Sequence, residues 1–138
     1  MRTEKKHQLA QLRRWRVRRK VRGTKERPRM SVCFTNKNIH VQFVDDDSGI
    51  TLAAASTTSK AAPDRDKLAA NVASAKVIGK LAAETALAKG IKAVVFDRGD
   101  ARYHRHESKG KGKDSKPVLV LGKLATLADA AREAGLKF

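Results

Sequence analysis

The chain has 138 residues, with 31 Lys or Arg against 14 Asp or Glu, a formal net charge of +17, a single Cys and 4% aromatic residues. That length holds one domain with one core, the lone Cys excludes an internal disulfide and a thiolate metal site and fits the reducing cytoplasm, and neither a membrane-spanning apolar run nor a secretory signal is expected. So large an excess of one sign calls for a polyanionic partner, and its uneven distribution along the chain marks where that partner is met.

Thirteen of the Lys and Arg lie in the first thirty residues, against Glu4 and Glu26 alone. The run from Arg13 to Arg22 cannot be buried, because its charges have no carboxylates to accompany them out of water. Residues 3–22 are good helix formers, yet their basic side chains go all round the helix and leave no wide apolar stripe. Repulsion at Arg14/Arg18, Arg16/Lys20 and Arg18/Arg22 predicts a disordered or fraying arm that orders on phosphates. Trp15 in such an arm is either a stacking platform for a base or sugar or an anchor onto the domain. An organellar transit peptide is the competing reading of the Arg-rich start, and the direct run through Gly23-Thr24 into the domain argues against it.

Gly23-Thr24 and Pro28 interrupt the helical pattern. The period then becomes two: Met30, Val32 and Phe34 alternate with Ser31, Cys33 and Thr35, and Ile39, Val41 and Phe43 alternate with His40 and Gln42, giving two strands joined at Asn36-Lys37-Asn38. The Asp45-Asp46-Asp47-Ser48-Gly49 turn leads to a third strand from Ile50 to about Ser56, completing an antiparallel meander. A helix is expected from about Asp64 to Lys89 with Leu68, Val72, Ala75, Ile78, Ala82 and Ala86 on its buried face, stopped by Gly90. The apolar run Ile91–Asp97 reads as a central strand. A basic, Gly-rich loop, a possible strand at 117–121 and a last helix, Gly122 to Ala134 with Gly135 as its cap, complete the chain. The fold class is α/β: a mixed sheet of four to five strands with two helices on one face, the core built from Ala, Val, Leu and Ile. Its other face, with His40, Gln42, Ser31, Cys33 and Thr35, is a small polar surface open to a partner. The expected division is an arm at residues 1–28 and an α/β domain at 29–138.

Candidate chemistry is sparse. His104-x-His106 lacks further ligands and reads as an adventitious or nucleic-acid-contacting pair, and Asp45-Asp46-Asp47 lacks the spacing of a calcium loop. Gly110-Lys111-Gly112-Lys113-Asp114-Ser115 does not match a P-loop and reads as a solvated or RNA-lying loop. Cys33 reads as a half-buried strand residue. Asp97 and Asp100 at a strand end are the strongest enzymatic candidates, as a metal-holding pair of a nuclease, although a tight turn at Gly99 is the preferred reading.

The segments Arg16-Val17-Arg18-Arg19-Lys20-Val21, Gly23-Thr24-Lys25-Glu26-Arg27-Pro28-Arg29, Asn36-Lys37-Asn38-Ile39-His40-Val41-Gln42, Val95-Phe96-Asp97-Arg98-Gly99, Tyr103-His104 and Leu127 to Leu136 follow one another in this order. Together they resemble the bacterial large-subunit ribosomal protein eighteen family, a resemblance that implies binding of 5S rRNA. The resemblance implies a mixed-sheet α/β fold, no catalysis and no cofactor. The implied partners are 5S rRNA, 23S rRNA and neighbouring large-subunit proteins including the other 5S-rRNA-binding protein, with no small-molecule substrate and no membrane. Three departures stand out: His40 replaces a usual Tyr, Gly99-Asp100 replaces a usual Gly-Gly, and about seventeen residues, roughly 105–121, are inserted before the last helix.

Residues and resemblance together nominate an RNA-binding set. It comprises Arg13, Arg14, Trp15, Arg16, Arg18, Arg19, Lys20, Arg22, Arg27 and Arg29 in the N-terminal segment; Asn36, Lys37, His40 and Gln42 on the sheet; Arg98, Gly99, Arg102, Tyr103 and His104 after the apolar strand; and Arg105, Lys109, Lys111 and Lys113 in the insert. The apolar end of the insert is expected to pair with the sheet or pack beside it, with a disordered excursion as the alternative. A nuclease using Asp97 and Asp100, or a nonspecific nucleic-acid compactor, are the competing functions.

Overall fold

Period-two alternation at 30–35 and 39–43, with the turn that follows it, becomes three paired strands in the computed structural model, which describes residues 2–99, 101–108 and 118–138. Strands β1 (Arg29–Phe34), β2 (Ile39–Asp45) and β3 (Ile50–Ser56) form the antiparallel meander, and β4 (Val95–Asp97) lies parallel to β1, giving the order β3-β2-β1-β4. Cross-strand pairs Met30↔Phe43 and Val32↔Val41 face the core, while Ser31↔Gln42 and Cys33↔His40 point away from it. The register therefore sorts the two faces as the alternation predicts.

Helices α2 (Val72–Ala88) and α3 (Lys123–Glu133) pack on each other and cover the apolar face. Ala75, Ile78, Ala82, Ala83 and Ala86 of α2 and Leu124, Leu127, Ala128 and Ala131 of α3 are buried. Small residues let the layers approach closely: a Cβ on Gly79 would lie 2.5 Å from the carbonyl oxygen of Leu127. The core is not purely aliphatic, for Phe43 and Met30 are its largest fully buried side chains.

Four sequence expectations are corrected. Helix α2 starts at Val72, not near Asp64, because the Asn71 side chain accepts a hydrogen bond from the Ser74 N–H (2.7 Å) and caps it there; the preceding residues make a 3-10 turn at Arg65–Lys67. As a first-turn residue Val72 is then exposed. The apolar run 91–97 yields a three-residue edge strand, since Ile91 donates to the Ala86 carbonyl and closes the end of α2, while Ala93 bridges to Lys137 of the chain end. The insert's apolar end does not join the sheet: β6 (Val118–Leu121) pairs with β5 (Arg105–Ser108) as a separate two-stranded ribbon whose base is closed by the Gly122 N–H on the His104 carbonyl (2.9 Å).

The arm is a regular helix, α1 (Thr3–Arg18), with no buried residue. Disorder is thus not what the structure shows; a run of strong helix formers outweighs the modest like-charge repulsion along it. Its separation from the core is as expected.

Gly79→Ala is expected to lower the unfolding free energy by about 1–3 kcal/mol, because its Cβ meets a backbone carbonyl that cannot step aside. Chemical denaturation of the two proteins measures this.

Candidate nucleic-acid interface

Arg13, Arg14, Trp15, Arg16 and Arg18 lie exposed on α1, and Arg19, Lys20 and Arg22 follow in the exposed link to the domain. Trp15 is 54% exposed and α1 buries nothing, so the structure does not use Trp15 as an anchor on the domain. At the root of the arm Val21 is half-buried and Arg22 pairs with Asp47 at 2.6 Å.

The polar face of the sheet forms the second part. His40 sits between its cross-strand partners Cys33 and Ser56, and Gln42 between Ser31 and Ala54. Cys33, His40, Gln42, Ala54, Ser56 and Ser59 line one shallow depression. Cys33 is exposed and not half-buried as expected, because among the described residues no layer covers this face. Every lining group is small and uncharged or, for His40, weakly basic, so the surface offers hydrogen bonds and shape where α1 offers charge. The contribution of Ala54, Ser56 and Ser59 escapes the sequence: 50–56 has no clear alternation, and only the pairing of β3 with β2 brings these residues beside His40.

The third part follows β4. Arg98 and Gly99 form an exposed turn, with Gly99 at φ 57°, and Arg102, Tyr103 and His104 are exposed beyond it. Asn36 and Lys37 are exposed at the β1–β2 turn. Arg27 is exposed and its Nε donates to the Val94 carbonyl (3.3 Å). Arg105 leans on α3 through Asp129 at 3.8 Å. Lys109, Lys111 and Lys113, with Asp100 and the 110–115 loop, lie outside the described residues.

Arg29, also nominated, is enclosed within the fold. Its side chain is 7% exposed and sits between two carboxylates: Nε and Nη2 donate to Oδ2 and Oδ1 of Asp46 (2.8 and 2.7 Å), and Nη1 donates to Oδ2 of Asp97 (3.0 Å). Three of the five N–H donors of this guanidinium are thus engaged inside the fold. Asp97 is equally engaged, since its other oxygen accepts the Gly99 N–H (2.9 Å), so both of its oxygens are held within the fold. The forked hydrogen bond from Arg29, joined by the Gly23 N–H, holds the Asp46 carboxyl down at about 2 against the opposing effect of burial, and the same contacts raise the Arg29 pKa. Sequence reasoning took Asp46 for a turn residue; its only signal was an Arg at a strand start across from an acidic strand end. Asp45 is also held below the usual carboxylate range, chiefly by the Ser48 hydroxyl, which donates to it at 2.6 Å.

A family model describing ribosomal L18 of archaea, bacteria, mitochondria and chloroplasts matches residues 4–108. The chain belongs to the ribosomal L18 family. The L18 match runs from the arm through the whole four-stranded sheet and α2 to the end of β5. The chain is 44% identical over 133 residues to the large ribosomal subunit protein uL18 of Petrotoga mobilis, covering 96% of this chain and 95% of that protein. It is 47% identical over 123 residues to uL18 of Solibacter usitatus, covering 89% and 87%. Similarity at this level over most of the length of both relatives extends the L18 kinship beyond β5.

Because the Asp46 pKa is depressed in the folded L18-family protein, its ionisation stabilises the fold above about pH 4, and this contribution is lost as pH falls towards 2, amounting to about 2 kcal/mol. Unfolding free energies measured between pH 2 and 5 are expected to show that loss in the wild type, and Asp46→Asn is expected to flatten it.

Proposed function

We propose that this ribosomal protein is a structural constituent of the large subunit that binds 5S rRNA and helps attach it to 23S rRNA in the central protuberance, beside neighbouring large-subunit proteins that include the other 5S-rRNA binder. The observation that carries this reading is α1: a helix rich in Arg that buries none of its residues. The fold buries no part of that helix, and so dense a run of exposed cationic side chains suits a polyanion. Family membership and the names of its relatives support a ribosomal polyanion over DNA or a lipid surface.

The arm, residues 1–28, supplies affinity. Its Lys and Arg displace counterions from phosphates, and Arg adds bidentate geometry and stacking. Trp15, exposed beside them, is a platform for a base or ribose. The domain, residues 29–138, supplies selection. The deep groove of A-form RNA is closed to side chains, so the site is recognised by 2′-hydroxyls, bulges and loops against a preformed surface; the His40–Gln42 depression and the Arg98–His104 loop are that surface. Arg105, Lys109, Lys111 and Lys113 extend the contact from the insert. The role is one of binding, without catalysis.

Two measurements test this. Binding of 5S rRNA is expected to withstand competition by duplex DNA of equal length and, with about 6 to 10 phosphates engaged, to weaken by about 10³ to 10⁵ between 50 and 200 mM salt. Each of Arg13→Gln, Arg16→Gln and Arg18→Gln is expected to reduce the logarithmic salt slope by about one. Equal displacement by the DNA would leave only a nonspecific binder. Deleting 105–121 with no change in affinity would remove the insert from the interface.

A further inference from the structure

The arm and the turn after β4 are far apart in sequence, yet a single chain of hydrogen bonds joins them. The Gly23 N–H donates to Oδ2 of Asp46 (2.8 Å), and the Asp46 N–H donates back to the Gly23 carbonyl (3.0 Å). Asp46 receives the fork of Arg29, Arg29 reaches on to Asp97, and Asp97 accepts the Gly99 N–H. The close approach at the arm's root leaves no room for a side chain: a Cβ on Gly23 would fall 2.3 Å from the Arg29 nitrogen and 2.4 Å from the Val44 oxygen.

A flexible tether would need none of this. Nor is the cluster a phosphate site, because one guanidinium is outnumbered by two carboxylates. Resting on the RNA-binding reading above, we infer that Asp46 and Gly23 are positioning residues that fix the root of the arm relative to the Asp97–Gly99 turn, so that α1 and the loop at 98–104 meet one phosphate backbone in a set relation. The gain follows from how linked contacts combine. Two basic segments held in register engage RNA as one unit, whereas segments that reorient freely must lose that freedom on binding.

The test is a double-mutant cycle in the full chain, with 5S rRNA as the probe. Asp46→Asn keeps the shape and one acceptor oxygen, and the arm is weakened separately by Arg13→Gln, Arg14→Gln and Arg16→Gln. Asp46→Asn is expected to lower affinity about tenfold when the arm is intact and by less than about twofold when it is neutralised, since a positioning residue matters only while there is something to position. An equal loss in both backgrounds, as a purely structural role would produce, overturns the inference, and so does no loss in either.

A second readout needs no RNA. With a nitroxide on Gln11→Cys in a Cys33→Ser background, Asp46→Asn and Gly23→Ala, each checked for folding by circular dichroism, are expected to increase label mobility in α1. Unchanged mobility in both overturns the inference. If the wild-type protein fails to bind 5S rRNA, the proposed function fails, while the label still decides whether the junction is fixed.

Discussion

The guanidinium of Arg29 is the constraint around which the rest is arranged. It lies at the start of β1, reaches Asp46 just beyond β2 and Asp97 at the end of β4, and so ties together three of the four strands at one end of the sheet. Removing a charge of this kind from water is costly, and mutual attraction offsets the cost only when geometry is good and remaining lone pairs are satisfied. Both conditions hold: Asp46 also accepts Gly23, Asp97 also accepts Gly99, and among the described residues no buried side-chain polar atom lacks a partner. The yield is definition of geometry more than stability. A hydrophobic replacement could hold the strands together, but it would not aim the Gly23 and Gly99 backbones.

The molecule also keeps two uses of charge apart. Arg29 is enclosed by carboxylates at the core's edge, while the Arg residues of α1 stand in solvent on a helix that touches no core. An exposed Arg loses little by waiting for phosphate, and a buried one must be satisfied before folding is complete. Similar residues a few positions apart in sequence therefore sit in opposite environments, and burial separates them. The neutral polar face between these charges adds a third kind of surface, where hydrogen bonding can discriminate because Coulomb attraction does not dominate.

Much of the fold was legible from local pattern. Alternation at 30–43 placed Met30, Val32, Val41 and Phe43 inward and His40 and Gln42 outward, and the pairing register agrees. Gly90 and Gly135 ended the helices where expected, both at positive φ. The misreadings share a cause: hydrophobicity reports that a residue will be buried without saying by what. Ile91 and Val94 are buried, yet Ile91 closes the end of α2 and the Val94 N–H donates to the Lys137 carbonyl near the chain end, so a run that reads as a central strand becomes an edge. The insert's Leu119 and Val120 are exposed in a ribbon whose strands, among the described residues, pair with each other and not with the sheet.

By itself the sequence determined the things that depend on composition and spacing: an exposed basic arm, a three-strand meander with one polar face, two covering helices and, through motifs in a given order, kinship with the L18 family. Only the tertiary structure decided which strand is at the edge, which residues of β3 share the depression with His40, and that Arg29 is a strut between Asp46 and Asp97. Periodicity is a local property and fixes which way a side chain points relative to its own backbone. Partnership between Arg29, Asp46 and Asp97 is set by where separate segments come to rest, and chain position carries no record of that.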